Sequence, residues 1–126
     1  MEQRNLIVLG INADIGSQIA ERYINEGFKV VGTYRTKNNN LERLEARESI
    51  KLFQCDITKI ESVKAFSTFI STLGFRWTNF FSSIGSTEPI RRFFQCDIND
   101  WTDSLHLNFT SQLVALHELF PYRNQT

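Results

Sequence analysis

Gly10 and Gly16 stand six residues apart between an aliphatic run, 6–9, and a stretch in which Ile15, Ile19 and Tyr23 recur at i+4 beside Ala20 and Ile24. That order reads as a buried strand, a turn and an amphipathic helix, stopped by Gly27. Such a turn aims unpaired backbone N–H groups and the positive end of a helix dipole at one point. An anion held there gains ~0.3–1 kcal/mol from the dipole alone. A dinucleotide pyrophosphate suits the site, and Asn12, Asp14 and Ile15 fill the turn around it. The same two glycines also suit a tight bend with one close-packing position, and alone they do not separate the two readings. Asp14 would set a carboxylate near a diphosphate unless it turns away to cap the helix, which is the reading adopted.

The elements that must hold this turn alternate along the chain. After Gly27, residues 28–35 form a β-branched and aromatic run that predicts strand 2, followed by a polar patch at 36–40. A short helix over 41–48 and a strand over 50–53 come next. Thr58-x-x-Glu61 reads as a capping box, and Ile60, Val63, Phe66, Ile70 and Leu73 step by three or four along the helix it opens, to Gly74. Strand 4 spans 77–83 and is closed by Ile84 and Gly85. A loop with Pro89, Arg91 and Arg92 leads to a cluster of helix-start residues at 97–100. The last helix carries Trp101, Leu105, Phe109, Leu113, Leu116 and Phe120 on one face, and Pro121 halts it.

Four strand-helix alternations with right-handed crossovers predict an α/β, Rossmann-like three-layer sandwich, its parallel sheet of about four strands in the order 3-2-1-4. The strand order reverses between strands 1 and 4. In the crevice at their carboxyl ends, Gly10, Gly16, Arg35, Asp56 and Gly85 should meet.

Composition narrows the function classes. The 126 residues form one domain, 1–126, and 14 basic residues balance 14 acidic ones. No global field favours nucleic acid or an anionic membrane. The short apolar run near the N-terminus is far below signal or membrane-span length, so a cytoplasmic protein is expected. Cys55 and Cys96 lack metal-ligand spacing and read as reduced structural thiols, so no metal is expected. The pentapeptide Phe-Gln-Cys-Asp-Ile occurs at 53–57 and again at 94–98. Its flanks differ, one ending a strand and the other opening a helix, so the match is read as coincidence. His106 and His117 read as surface or internally satisfied polar residues.

Taken in order, these residues resemble the N-terminal half of a short-chain dehydrogenase/reductase. The family's T-G-x-x-x-G-x-G turn is represented by Leu9, Gly10, Asp14 and Gly16, with the Thr and the middle Gly replaced. Where NAD-dependent members end strand 2 in an acid, this chain has Thr33-Tyr34-Arg35. A guanidinium pairs with a 2′-phosphate, so the resemblance implies NADP(H) in preference to NAD(H), with Lys37 as a second cation. Asp56 and Ile57 resemble the D-[VIL]-[TS] segment that meets adenine. Of the family's N-N-A-G only Gly85 survives, in Ser82-Ser83-Ile84-Gly85. Asp100-Trp101 with Asn108 resembles the D-W-x-x-x-x-x-x-N segment, whose Asn belongs to a catalytic tetrad; Asn108 is read as a polar residue at a buried helical position.

The resemblance also implies a catalytic Ser and a Y-x-x-x-K pair, and neither can be assembled from these residues. Gly27, Asn38 and Thr126 stand four places after Tyr23, Tyr34 and Tyr122. The expectation is therefore a cofactor-binding half without the acid/base machinery, as a truncated chain. Its apolar strand 4 edge and last helix should associate with another copy or a partner. A non-catalytic NADP(H)-binding or interaction module, or a decayed fragment, remains the alternative.

Overall fold

In β1 (Asn5–Leu9), residues Leu6, Ile7, Val8 and Leu9 are all at most 2% exposed. Side chains alternate across a strand, so such a run needs cover on both faces. The computed structural model, which describes residues 3–125, supplies it. Met1, Glu2 and Thr126, the outermost positions of the expected 1–126 domain, lie outside the described residues. β1 pairs in parallel with β2 (Lys29–Tyr34) on one side and β4 (Asn79–Ser82) on the other, and β3 (Ile50–Gln54) extends the sheet beyond β2. The strand order is β3-β2-β1-β4, as the alternation predicted.

The period of two divides the core. Ile7, Leu9 and Val31 point to the layer of α3 (Ile60–Leu73) and the last helix, against Val63, Phe66, Ile70, Ala115 and Leu119. Leu6, Val8 and Val30 point the other way, to Ala20 of α1 (Asp14–Asn25) and to Leu41 and Leu44 of α2 (Asn39–Glu45). Gly74 ends α3 in the left-handed region at φ +64°, where L side chains are strained.

Ile15 departs from its expected place. It is 65% exposed, while Ile19, Tyr23 and Ile24 pack on the core. α1 begins at Asp14, so Ile15 sits in the first turn, beyond the strand ends, where no layer covers it.

The capping box at Thr58 does not form. Lys59 precedes α3 without a side-chain cap, because the Thr58 hydroxyl donates instead to Asp56 Oδ1 at 2.6 Å. A capping box forms at the next helix, α4 (Ile98–Leu105), where Asp97 Oδ1 accepts from the Asn99 N–H and the Asp97 N–H donates to Asp100 Oδ2. The two copies of the repeated pentapeptide have unlike structures, one ending β3 and one crossing a short 3₁₀ turn into the Asp97 cap.

The last helix is continuous but not uniform. α4 passes through one π-type turn, His106–Thr110, in which the Ser111 N–H reaches back five residues to the His106 carbonyl, and continues as α5 (Ser111–Leu119). Leu105, Phe109, Leu113, Leu116 and Phe120 do not face the core; all are exposed. The inner face belongs to Leu107, Ser111, Ala115 and Leu119, whose smaller members let the helix lie close to α3 and the sheet. Beyond α5, Arg123 makes a single parallel bridge to Trp77, just before β4. Among the described residues no helix is long and apolar enough to cross a membrane.

Candidate functional site

Gly10 turns the chain out of β1 at φ +72°. Its N–H donates to Thr33 Oγ1 at 3.2 Å, and the next N–H, of Ile11, donates to the Thr33 carbonyl at 2.8 Å, so β2 holds the start of the turn. The Gly10 carbonyl accepts from the Ala13 N–H and from Ser83 Oγ, at 3.1 and 3.2 Å. A Cβ on Gly16 would collide with that same carbonyl and with the Ser83 hydroxyl. Gly16 is therefore a close-packing position: α1 lies tight on the turn, and the N–H groups of its first turn have no intrahelical partners.

Two neighbours of the turn went unpredicted. Thr33 is one, and Gly32 is the other, because a Cβ there would overlap the side chain of the fully buried Ile11. A glycine inside an otherwise β-branched run was the available signal for close approach.

Asn12 is buried and ties the turn to the loop after β2. Its Nδ2 donates to the Thr36 carbonyl at 2.6 Å, while its own carbonyl accepts from Asn38 Nδ2 and Asn40 Nδ2. Asp14 does not cap α1. Ala13 occupies the N-cap position, and Asp14 is already helical, its Oδ1 accepting from Asn40 Nδ2 at 3.0 Å. The carboxylate still stands in the first turn, where the dipole favours it.

Gly10, Asn12, Arg35, Asp56, Ile57 and Gly85 line one cleft of about 220 Å³ at the carboxyl ends of the strands. Asp14, Ile15, Gly16 and Asn108 are not in its wall. Asp56 Oδ1 accepts from both the N–H and the hydroxyl of Thr58. The hydroxyl bond does most to hold the Asp56 carboxyl below its usual range. Partial burial opposes it, and the Thr58 N–H, Arg35 and Lys59 assist. Next to it, burial pushes the Cys55 thiol up, which keeps it protonated and inert.

Asn108 is exposed, against the expectation of a buried position. It lies in the π-type turn, where its outward side chain closes on a loop rather than on the core: Oδ1 accepts from the Ser86 N–H at 2.7 Å, and Nδ2 donates to the Ser86 carbonyl at 2.9 Å. Gly85 is tight beneath this clamp, since a Cβ would stand 3.2 Å from Asn108 Oδ1. Gln112 adds a second tie, accepting from Ser82 Oγ at 2.7 Å and donating to the Ile84 carbonyl at 2.8 Å. Ser82 thus links the end of β4 to a helix. A second cavity, of about 440 Å³, adjoins the cleft through Leu107, which lines both, and is bounded by Ser86, Arg91 and Cys96. His106 is internally satisfied, as expected, and His117 is exposed. No group of three His, Cys, Asp or Glu among the described residues is arranged to hold a metal.

The family model for enoyl-(acyl carrier protein) reductase matches residues 10–126, from the glycine turn to the end of the chain. The chain belongs to the short-chain dehydrogenase/reductase family. Solved structures agree on the fold. An NADPH-bound carbonyl reductase from chicken fatty liver superposes with a TM-score of 0.85 at 16% identity, over 97% of this chain and 49% of that one. A short-chain dehydrogenase/reductase from Serratia marcescens gives 0.84 at 20% identity, over 96% and 51%. One from Mycobacterium ulcerans gives 0.82 at 20%, over 97% and 47%. The chain thus spans about half the length of the solved structures it matches. No curated protein matches it.

Proposed function

We propose that this chain supplies the cofactor-binding half of an NAD(P)-dependent short-chain oxidoreductase and that its cofactor is NADP(H). The observation that carries this reading is the convergence of Gly10, Asn12, Arg35, Asp56, Ile57 and Gly85 on one cleft at the point where the strand order reverses. The cofactor's diphosphate would lie over the Gly10 turn and the start of α1, with Gly16 and Asp14 supporting from behind and Ile15 at the mouth. Asp56 and Ile57 would meet adenine. Arg35, exposed just after β2 with Lys37 two residues on, would pair with a 2′-phosphate, and residues 35–41 carry no carboxylate. The NADPH in the chicken carbonyl reductase supports that choice.

At about 220 Å³ the cleft is below the ordinary range for a ligand pocket, roughly 300–1,000 Å³. It would enclose one end of the cofactor and pass the rest over Gly85 toward the larger cavity beside Leu107. NADP(H) would supply hydride chemistry there. Asn108, clamped to Ser86, would be the residue this chain contributes to the catalytic group. The chain contains no Tyr-x-x-x-Lys sequence, which supports binding without turnover for these 126 residues alone.

The outer face of α4 and α5 carries Leu105, Phe109, Leu113 and Phe120, and Phe94 before it is 96% exposed. No charge interrupts the stripe from Leu105 to Phe120, so a second copy can meet it without like-charge repulsion. Self-association through this face and the β4 edge is part of the proposal. Quenching of Trp101 or Trp77 fluorescence on NADPH addition tests the binding reading; a chain whose emission is unmoved by NADPH and NADH at millimolar concentration contradicts it.

A further inference from the structure

His106 engages both ring nitrogens, and they reach different parts of the fold. Nε2 stands 2.9 Å from the carbonyl of Thr58, 48 residues away, and Nδ1 stands 2.6 Å from the hydroxyl of Thr110 within its own π-type turn. A carbonyl only accepts, so Nε2 carries a proton. Nδ1 and the Thr110 hydroxyl share one hydrogen bond, and that hydroxyl also lies 3.3 Å from the His106 carbonyl. The far end of the first bond lies one residue beyond the cleft wall, which Asp56 and Ile57 line. Thr58 is held to Asp56 Oδ1 through both its N–H and its hydroxyl. The near end belongs to the helix that carries Leu107, which lines the cleft, and Asn108, which clamps Ser86.

We infer that His106 is a positioning residue that fixes the Asp56–Ile57 wall of the cleft, through Thr58, against the π-type turn, and so sets the gap between Asp56 and Leu107 into which the cofactor must fit. A π-type turn gives up the regular i→i+4 ladder, and a turn of this kind holds its shape through outside partners. Gln112 supplies them on the β4 side, with Nε2 at 2.8 Å from the Ile84 carbonyl and 3.3 Å from the Leu107 carbonyl. His106 supplies another, toward the loop between β3 and α3. Thr110, hydrogen-bonded to Nδ1, fixes the orientation in which Nε2 reaches the Thr58 carbonyl. The inference rests on the proposed cofactor site for its functional consequence, while the link itself is independent of any ligand.

Two substitutions of similar volume separate a donor from mere bulk. His106→Gln keeps an N–H₂ that can reach the Thr58 carbonyl, and His106→Leu removes every donor. In the cofactor-free chain, hydrogen exchange of the 55–60 segment should quicken at least fivefold in the Leu variant and stay within twofold of wild type in the Gln variant. The NADPH dissociation constant should rise at least fivefold in the Leu variant and less than twofold in the Gln variant. Equal exchange in both variants overturns the inference, as does a quickened segment with unchanged NADPH affinity. If the wild type binds neither NADPH nor NADH, the cofactor reading falls, and the exchange comparison alone decides whether His106 sets the wall.

Discussion

Arg35 and Asp56, on loops that follow neighbouring strands, line one cleft, and the Arg35 charge helps hold the Asp56 carboxyl below its ordinary range. The guanidinium and the carboxylate leave the carboxyl ends of β2 and β3, which run parallel and side by side. One end of the cleft thus presents a cation beside a hydrogen-bond acceptor.

That pairing makes acid stability informative. A carboxyl whose folded pKa lies below its unfolded value contributes stability above the unfolded pKa, near ~3.9 for Asp, and loses it as the pH falls through the folded value. Asp56→Asn should therefore destabilise the chain at neutral pH, by about 1 kcal/mol from the weaker bonds to Thr58. The gap to wild type should narrow as the pH drops below ~4. Urea melts of both proteins at pH 7 and pH 3.5 check this, and a gap that widens in acid contradicts it.

Gly16→Ala should be costly. Its Cβ meets the Gly10 backbone carbonyl, which cannot swing aside as a flexible side chain would, so α1 must lift from the turn. Forced overpacking of this kind costs ~1–3 kcal/mol. Thermal unfolding of the variant should show a melting temperature several degrees lower, and NADPH affinity should fall with it. An unchanged melting temperature would show that the helix and turn are not in the contact described.

Leu113→Asp and Phe109→Asp place charge on the outer helix face without touching the inner one, where Ser111 and Ala115 pack. Size-exclusion chromatography with light scattering should give a dimer or larger species for wild type and a lower mass for each variant at equal concentration. A wild-type monomer at high concentration contradicts self-association through this face.

Much of this architecture was legible in the residues. The four aliphatics of β1 demanded cover on both faces, and the alternation of strands and helices was enough to order the sheet. Six of the proposed cofactor positions, from Gly10 to Gly85, do meet in one cleft. Local hydrogen-bond competition was less legible. Thr58 fits a capping box by spacing, but Asp56, two residues earlier, takes its hydroxyl. Asp14 fits a cap by type, but Asn40 of another helix sits within reach. The apolar stripe of the last helix has the right period, yet period does not say which face meets the core. The core-facing positions, Leu107, Ser111, Ala115 and Leu119, include two small residues, so they stand out less than the larger apolar stripe. Asn108 could not be placed because its partners, the Ser86 backbone groups, lie in an irregular loop.

The Gly10 cleft, with Arg35 at its edge, is proposed to hold NADP(H). Isothermal titration of the chain with NADPH and with NADH, repeated on Arg35→Ala, tests it most directly. A charge-assisted pair with the 2′-phosphate is worth ~1.5–3 kcal/mol, so wild type should prefer NADPH by roughly tenfold or more. Arg35→Ala should lose that preference while keeping its NADH affinity. Equal affinity for both cofactors in wild type, or a preference that survives Arg35→Ala, would contradict the role given to Arg35, and heat from neither would contradict the cradle itself.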